Sequence, residues 1–217
     1  MRTSFKIVVL FIFASFFLSS CFKNISSSTV AYYNDFEKGD DKGFTVINWD
    51  GLVPKPYIDS FNHGHVIGRY WEERMEFESP ELPAHNLINI EFILNAHGYW
   101  EGNKLLGGLP DIWNLSMDGG LILSTTFSNS PEMQSYPEWF NVGAVPEPPR
   151  GNAFETNLPG VCNLKGVQGG TVSFKISITR IHSGKTVHLS INDVLHNSQC
   201  DKSWSIDNLK ITTLVQK

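Results

Sequence analysis

Between Leu87 and Asn95 apolar and polar side chains alternate: Ile88, Ile90, Phe92 and Leu94 face one way, Asn89, Glu91 and Asn95 the other, and only Ile93 is out of step. A period of two marks a strand with one face in a core and one in water. The last third repeats the pattern more cleanly, with Val172, Phe174, Ile176 and Ile178 against Ser173, Lys175, Ser177 and Thr179. His182-Ser183-Gly184-Lys185 then turns the chain into Val187, Leu189 and Ile191, and Trp204 to Thr213 closes it. Further strands are predicted at Ala31–Phe36, Phe44–Trp49, His63–Tyr70, Arg74–Glu78, Trp113–Met117 and, after the Asp118-Gly119-Gly120 turn, Leu121–Phe127. Helical periodicity is nearly missing. The pattern predicts an all-β, antiparallel, jelly-roll-like β-sandwich.

Two places break the regularity. From Ser128 to Gly169 the chain carries Pro131, Pro137, Pro146, Pro148, Pro149 and Pro159 and no clear strand. A connection of that length in one domain tends to be functional or mobile. In the closing strand, Trp204 and Ile206 share one parity, but Leu209 and Ile211 take the other. The switch at Asp207-Asn208 predicts a bulge, a device that re-aims side chains.

The N-terminus changes the picture of where this domain works. Arg2 and Lys6 flank an apolar run from Ile7 to Leu18, too short to span a bilayer, followed by Leu18-Ser19-Ser20-Cys21. That box resembles the cleavage site of bacterial lipoproteins, which implies an acylated Cys21 and a bacterial cell-envelope location. Phe22 after the cysteine, by the same resemblance, favours the outer membrane. The expected organisation is therefore a signal peptide over 1–20, a lipidated cysteine and Ser-rich tether over 21–30, and the sandwich over 31–217. Loss of the signal takes two basic residues and no acid, leaving 15 Lys and Arg against 22 Asp and Glu. An acidic domain is a poor match for nucleic acid. With Cys21 assigned to lipid, Cys162 and Cys200 remain, and an oxidising compartment favours one disulfide over two buried thiols.

Candidate chemistry gathers at the domain's ends and in its middle. Asp35-Phe36-Glu37-Lys38-Gly39 opens the domain and Ser203-Trp204-Ser205-Ile206-Asp207-Asn208 begins the last strand. Terminal strands of a jelly roll lie side by side, so these acids are expected to meet. Their pairing resembles the structural calcium site of several carbohydrate-binding jelly-roll families. The resemblance implies Ca²⁺ on Glu37 and Asp207, with Asp35 as an additional oxygen donor.

Leu82-Pro83-Ala84-His85, Pro110-Asp111-Ile112-Trp113, Thr125 to Asn129, Gln134 to Pro137 and Ser203 to Asn208 resemble, in their order, a domain of uncharacterised secreted bacterial proteins. The resemblance covers most of residues 33–213 and implies an extracellular sandwich. This chain departs from the usual acidic loops at His97 to Gly102 and at Asp201 to Ser205. Tyr99, Trp100, Tyr136, Trp139 and Phe140 fall in predicted loops, where an exposed ring could stack on a sugar. Glu101, Asn103 and Asp111 could orient it. His63 and His65 share a strand face at a spacing that zinc can use, without further ligands in view. His85 is expected to hydrogen-bond at the start of a strand. No nucleophile elbow, His-Glu-x-x-His helix or P-loop is present. The reading is a non-enzymatic binding module for a glycan or a cell-surface partner, with a protein-contact scaffold or a glycan hydrolase as alternatives.

Overall fold

A computed structural model describes residues 24–217. The predicted signal peptide and Cys21 lie outside the described residues. Twelve strands form the domain: β1 (Ile25–Asn34), β2 (Phe44–Asn48), β3 (Ile58–Phe61), β4 (Gly64–Tyr70), β5 (Glu73–Glu78), β6 (Leu87–Gly98), β7 (Ile112–Met117), β8 (Gly120–Thr125), β9 (Glu155–Pro159), β10 (Gln168–Ile181), β11 (His188–Val194) and β12 (Lys202–Gln216). They pair antiparallel in two sheets. One has the order β3-β4-β12-β6-β10-β9 with β1 also on β12, and the other is β2-β5-β11-β7-β8. The expected all-β sandwich is the observed fold.

The alternation seen in the sequence is the core. Ile88, Ile90, Phe92 and Leu94 of β6 and Val172, Phe174 and Ile176 of β10 point inward against Met75, Phe77, Leu115, Leu189 and Ile191 of the smaller sheet. Aromatic rings bridge the layers. Trp113 meets Trp204 edge-on at 6.4 Å and Phe127 at 5.9 Å, and Phe127 lies 4.5 Å from Phe174. Such tilted pairs add to the burial of large apolar area.

β12 carries the predicted bulge. Its register against β6 shifts between Asp207 and Lys210, and Asn208 adopts a left-handed conformation at φ 55°. The extra residue keeps Trp204 and Ile206, and then Leu209 and Ile211, on the core side.

The Ser-rich stretch expected to be a tether is strand from Ile25 onward. β1 pairs with β12 from Ile25 opposite Gln216 to Asn34 opposite Leu209. β4 covers that edge of β12 only at Trp204 to Ile206, so the rest of the edge needs another backbone. Composition missed this because a ladder joins backbones, which serines and threonines supply as well as any residue. The Pro-rich segment is likewise tied down. Gln134, fully buried, accepts the Ser128 N–H at 3.0 Å and donates to the Gly151 carbonyl at 2.9 Å. Two strands escaped the sequence pattern: β3, of four residues, and β9, which ends on a proline.

A domain that starts at Ala31 should unfold at lower denaturant than one that starts at Asn24, by about 2–4 kcal/mol for several lost ladder bonds. Equal midpoints in paired urea titrations would restore the tether reading.

Candidate functional site

The loop between β6 and β7 was the expected site, and the structure uses it otherwise. Trp100 is wholly buried and its Nε1–H donates to the Ser203 carbonyl at 3.0 Å. Asp111 is also fully buried, and its Oδ2 lies 2.7 Å from the Nζ of Lys202, whose side chain is equally inaccessible. Glu101 Oε2 approaches the same ammonium at 3.2 Å, while Asp111 accepts the Glu101 N–H at 3.1 Å and the His196 N–H at 3.4 Å. This is a buried ion pair that fastens the loop to the start of β12. Gly98 permits the crossing, because at φ 81° a Cβ there would stand 2.0 Å from the Asp201 carbonyl oxygen. Trp100 and Asp111 are therefore corrected from ligand-binding to structural residues, and Glu101 is drawn into the same cluster.

Tyr136 is also core. Its ring sits 4.9 Å from Phe127 and its hydroxyl donates to the Lys175 carbonyl at 3.0 Å. Tyr99 and Trp139 are exposed on separate segments, and neither lines the grooves described below. His85 bonds at its predicted place, with Nδ1 2.6 Å from the Pro83 carbonyl oxygen and Nε2 2.7 Å from His182 Nδ1.

The acids at the two ends of the domain do come together. Burial pushes Asp207 up to about 6, and the negative charges of Glu37 and Asp35 push the same way. Glu37, however, is already engaged. Its Oε1 accepts the His65 N–H at 2.9 Å, its Oε2 lies 3.0 Å from His65 Nδ1, and these bonds hold it below the usual carboxylate range. Asp207 Oδ1 accepts the Asn208 N–H at 2.6 Å. Among the described residues no group of three or more His, Cys, Asp or Glu side chains is arranged to hold a metal ion. As they stand, the three acids do not fit calcium, because two of Glu37's donor positions point at histidine.

A different site appears on the outer face of the larger sheet. Across β10, β6 and β12 the outward residues fall in rows: Ser173, Asn95 and Ser205, then Lys175, Ile93 and Asp207. Ser173, Asn95, Ile93 and Asp207 of these rows floor a groove of about 270 Å³. Phe61 and Asn62 of the β3–β4 turn line it, as do Phe154, Glu155 and Leu158, in and just before β9. A shelf of about 200 Å³ shares Ile93 and Phe154 with it and reaches Tyr33, Asn208 and Lys210. The bulge places both Asp207 and Asn208 along this path, and Tyr33 donates to Asn208 Oδ1 at 2.6 Å. Phe154 is 63% and Tyr33 54% exposed, so both rings stand open to solvent.

The floor is rigid. Asn95 accepts a hydrogen bond from Ser173 Oγ, and its amide donates to Ser205 Oγ at 3.3 Å. His97 lies 2.8 Å from Ser205 Oγ and 3.0 Å from Thr171 Oγ1, and full burial lowers it to about 3, which keeps it neutral. The expected disulfide joins Cys162 to Cys200, with a Cα–Cα distance of 5.2 Å. It ties the segment after β9 to the turn before β12. Phe61 and Phe154 carry no signal in the sequence beyond being aromatic near turns, though Phe154 falls in the Pro-rich stretch that stood out as irregular.

No family model matches the chain, and no curated protein matches it. Among solved structures it is similar to a cleaved adhesin domain of Lys-gingipain from Porphyromonas gingivalis, at 11% identity, TM-score 0.43, over 86% of this chain and 98% of that one. It is also similar to a family 35 carbohydrate-binding module from Clostridium thermocellum, at 7% identity, TM-score 0.34, over 77% and 96%. A further similarity is to an exo-β-1,3-galactanase from Phanerochaete chrysosporium, at 9% identity and TM-score 0.39 over 84% of this chain, which spans 29% of the galactanase's length.

Lys202→Met should cost about 3–5 kcal/mol, since Asp111 would be left as an uncompensated buried charge. Lys202→Met combined with Asp111→Leu should recover most of that loss in the same denaturation assay. Asp207 makes a pH prediction. Its pKa is raised in the fold to about 6 from an ordinary 3.8, so the native state holds the extra proton between those values. Stability contributed at low pH is lost as pH rises through that window and stays lost above it. Asp207→Asn should raise the unfolding midpoint at neutral pH and leave it unchanged at pH of about 3, where both states are protonated. An equal rise at both pH values would refute the assignment.

Proposed function

We propose that this chain is a non-catalytic binding module that holds a glycan in the groove on the outer face of its larger sheet. One observation carries the reading. A hydrogen-bonded, largely polar floor is flanked by three aromatic side chains, Phe61 and Phe154 on the groove and Tyr33 with Phe154 on the adjoining shelf. A pyranose has an apolar face that stacks on such rings and a hydroxyl rim that needs donors and acceptors. Asn62, Asn208, Glu155, Lys175 and Lys210 supply those beside the rings. An extended groove suits a chain of sugars better than a single one.

A protein-contact scaffold would favour a broad, flat apolar patch. Hydrolysis would need two carboxylates facing a bond across the groove. Glu155 Oε1 instead accepts the N–H groups of Thr156 and Asn157 at 2.9 and 3.0 Å, and Asp207 is held by Asn208. Both acids serve the local backbone.

Acylation of Cys21 would place the module on the bacterial envelope, at the outer membrane by the resemblance of its signal. Only two residues, Phe22 and Lys23, separate Cys21 from Asn24, a reach of about 11 Å at most. The Gln216 end of β12, opposite Ile25, would then face the bilayer, and the groove would open sideways along the membrane.

The test is a glycan array probed with residues 24–217, with and without EDTA. Saturable binding is expected, with Phe154→Ala and Tyr33→Ala each weakening it about tenfold and Trp139→Ala leaving it unchanged. Binding that EDTA abolishes would give calcium the role that the geometry of Glu37 argues against. A folded protein that binds no glycan would overturn the reading.

A further inference from the structure

At the Trp204 end of the sandwich the inward positions of the smaller sheet turn from apolar to polar in one step. Val46 is followed by Asn48 on β2, Met75 is preceded by Glu73 on β5, and Ile191 is followed by Asp193 on β11. Asn48 lies opposite Glu73, and Ile47, Arg74 and Asn192 form the neighbouring outward row. The core thus opens at this end into a cavity of about 460 Å³, the largest of those described here and on a different sheet from the glycan groove.

Trp49 stands at its rim. The turn that carries it is closed by the Asn48 N–H donating to the Leu52 carbonyl and the Gly51 N–H donating to the Asn48 carbonyl, both at 2.9 Å. Its ring is 88% exposed, which is unusual for the residue type with most apolar area to hide. The charge around it is one-sided. Glu72, Glu73 and Asp193 line the cavity, and none is in an ion pair among the described residues, while the one base, Arg74, has its Nε 3.0 Å from Glu76. Asp193 is held in place by accepting the Glu72 N–H at 2.9 Å and the Trp204 Nε1–H at 2.6 Å. Asn48 Oδ1 is buried and accepts no hydrogen bond from the protein.

We propose that this cavity is a second recognition site, for an amino sugar, with Trp49 stacking on the pyranose and the carboxylates receiving its ammonium. Trp is the side chain on which a ring face and a nearby cation gain most together. Burial raises Glu73 above the usual carboxylate range and Asp193 to about 6, so negative charge is held there at a cost that a bound cation relieves. A neutral sugar would use the ring and leave the acids uncompensated. A bare lysine side chain would use the acids and leave the broad ring face of Trp49 largely uncovered.

The experiment is calorimetric titration of residues 24–217 with a glucosamine trimer, its N-acetylated form and trilysine. Saturable binding of the glucosamine trimer is expected, with the acetylated trimer and trilysine each weaker by about tenfold or more. Trp49→Ala and, separately, Glu72→Gln should each weaken it about tenfold. Both side chains are exposed, so both variants should fold. Phe154→Ala should leave this binding intact, which separates the site from the groove whatever the groove takes. No saturable binding of the glucosamine trimer, equal binding of the acetylated trimer or of trilysine, or indifference to Trp49→Ala would each overturn the proposal.

Discussion

β12 has to satisfy hydrogen-bonding groups along both of its edges, and most of the molecule's arrangement follows from how it does so. One edge is paired with β6 from Lys202 to Leu214. The other is shared in sequence by β4 at Trp204 to Ile206 and β1 at Leu209 to Gln216. The handover between those partners falls at the bulge. One inserted residue lets a single strand change partners on one side without breaking the ladder on the other, and it keeps the core parity through the change. The same insertion puts Asp207 and Asn208 side by side on the outer face, so the device that completes the sheet also furnishes the groove.

Polar groups are placed in this fold with two different consequences. Three clusters that are closed over are paired within the protein. Lys202 with Asp111 and Glu101, Gln134 with Ser128 and Gly151, and His97 with Ser205 and Thr171 each satisfy their bonds inside the protein. Pairing is what makes burial of a charge tolerable. Where the polar groups are left open, beside Phe154 and at the end of the smaller sheet beside Trp49, Asp207, Glu155, Glu72, Glu73 and Asp193 have no ion-pair partner among the described residues, and aromatic rings are exposed. That contrast separates residues that hold the structure from residues free to meet something else.

The sandwich was legible because alternation is a local property. β6 and β10 show it over many residues, and the parity switch after Ile206 was enough to predict the bulge. The disulfide followed from counting, once the compartment was inferred. β3 and β9 were illegible because four or five residues with a turn or a proline cannot establish a period. The loop around Trp100 misled for a different reason. A Gly-rich, aromatic, acidic loop reads as an exposed site, and only the long-range partner Lys202, about a hundred residues on, turns it into interior. Lysine is the residue least expected to be buried, so no local pattern could have named it. Phe61, Phe154 and Trp49 fail on the same ground, since one exposed ring in a sequence looks like any other until the sheet brings polar rows beneath it.

The two proposed sites also differ in their relation to the chain's start. Ile25 sits opposite Gln216, whereas Asp193 bonds Trp204, twelve residues back along the same strand. At about 3.3 Å per residue the two ends of β12 are some 40 Å apart. A short link from Cys21 to β1 would hold one end of the sheet at the bilayer and turn the Trp49 end outward, beyond the headgroups. The groove, which runs across the strands near the bulge, would lie between. An anchored module of this build would meet a glycan along its side and an ammonium-bearing sugar at its tip, so one extended, partly cationic polysaccharide could engage both only by bending around the edge of the smaller sheet. Independent ligands, or separate chains of one polymer, suit the geometry better.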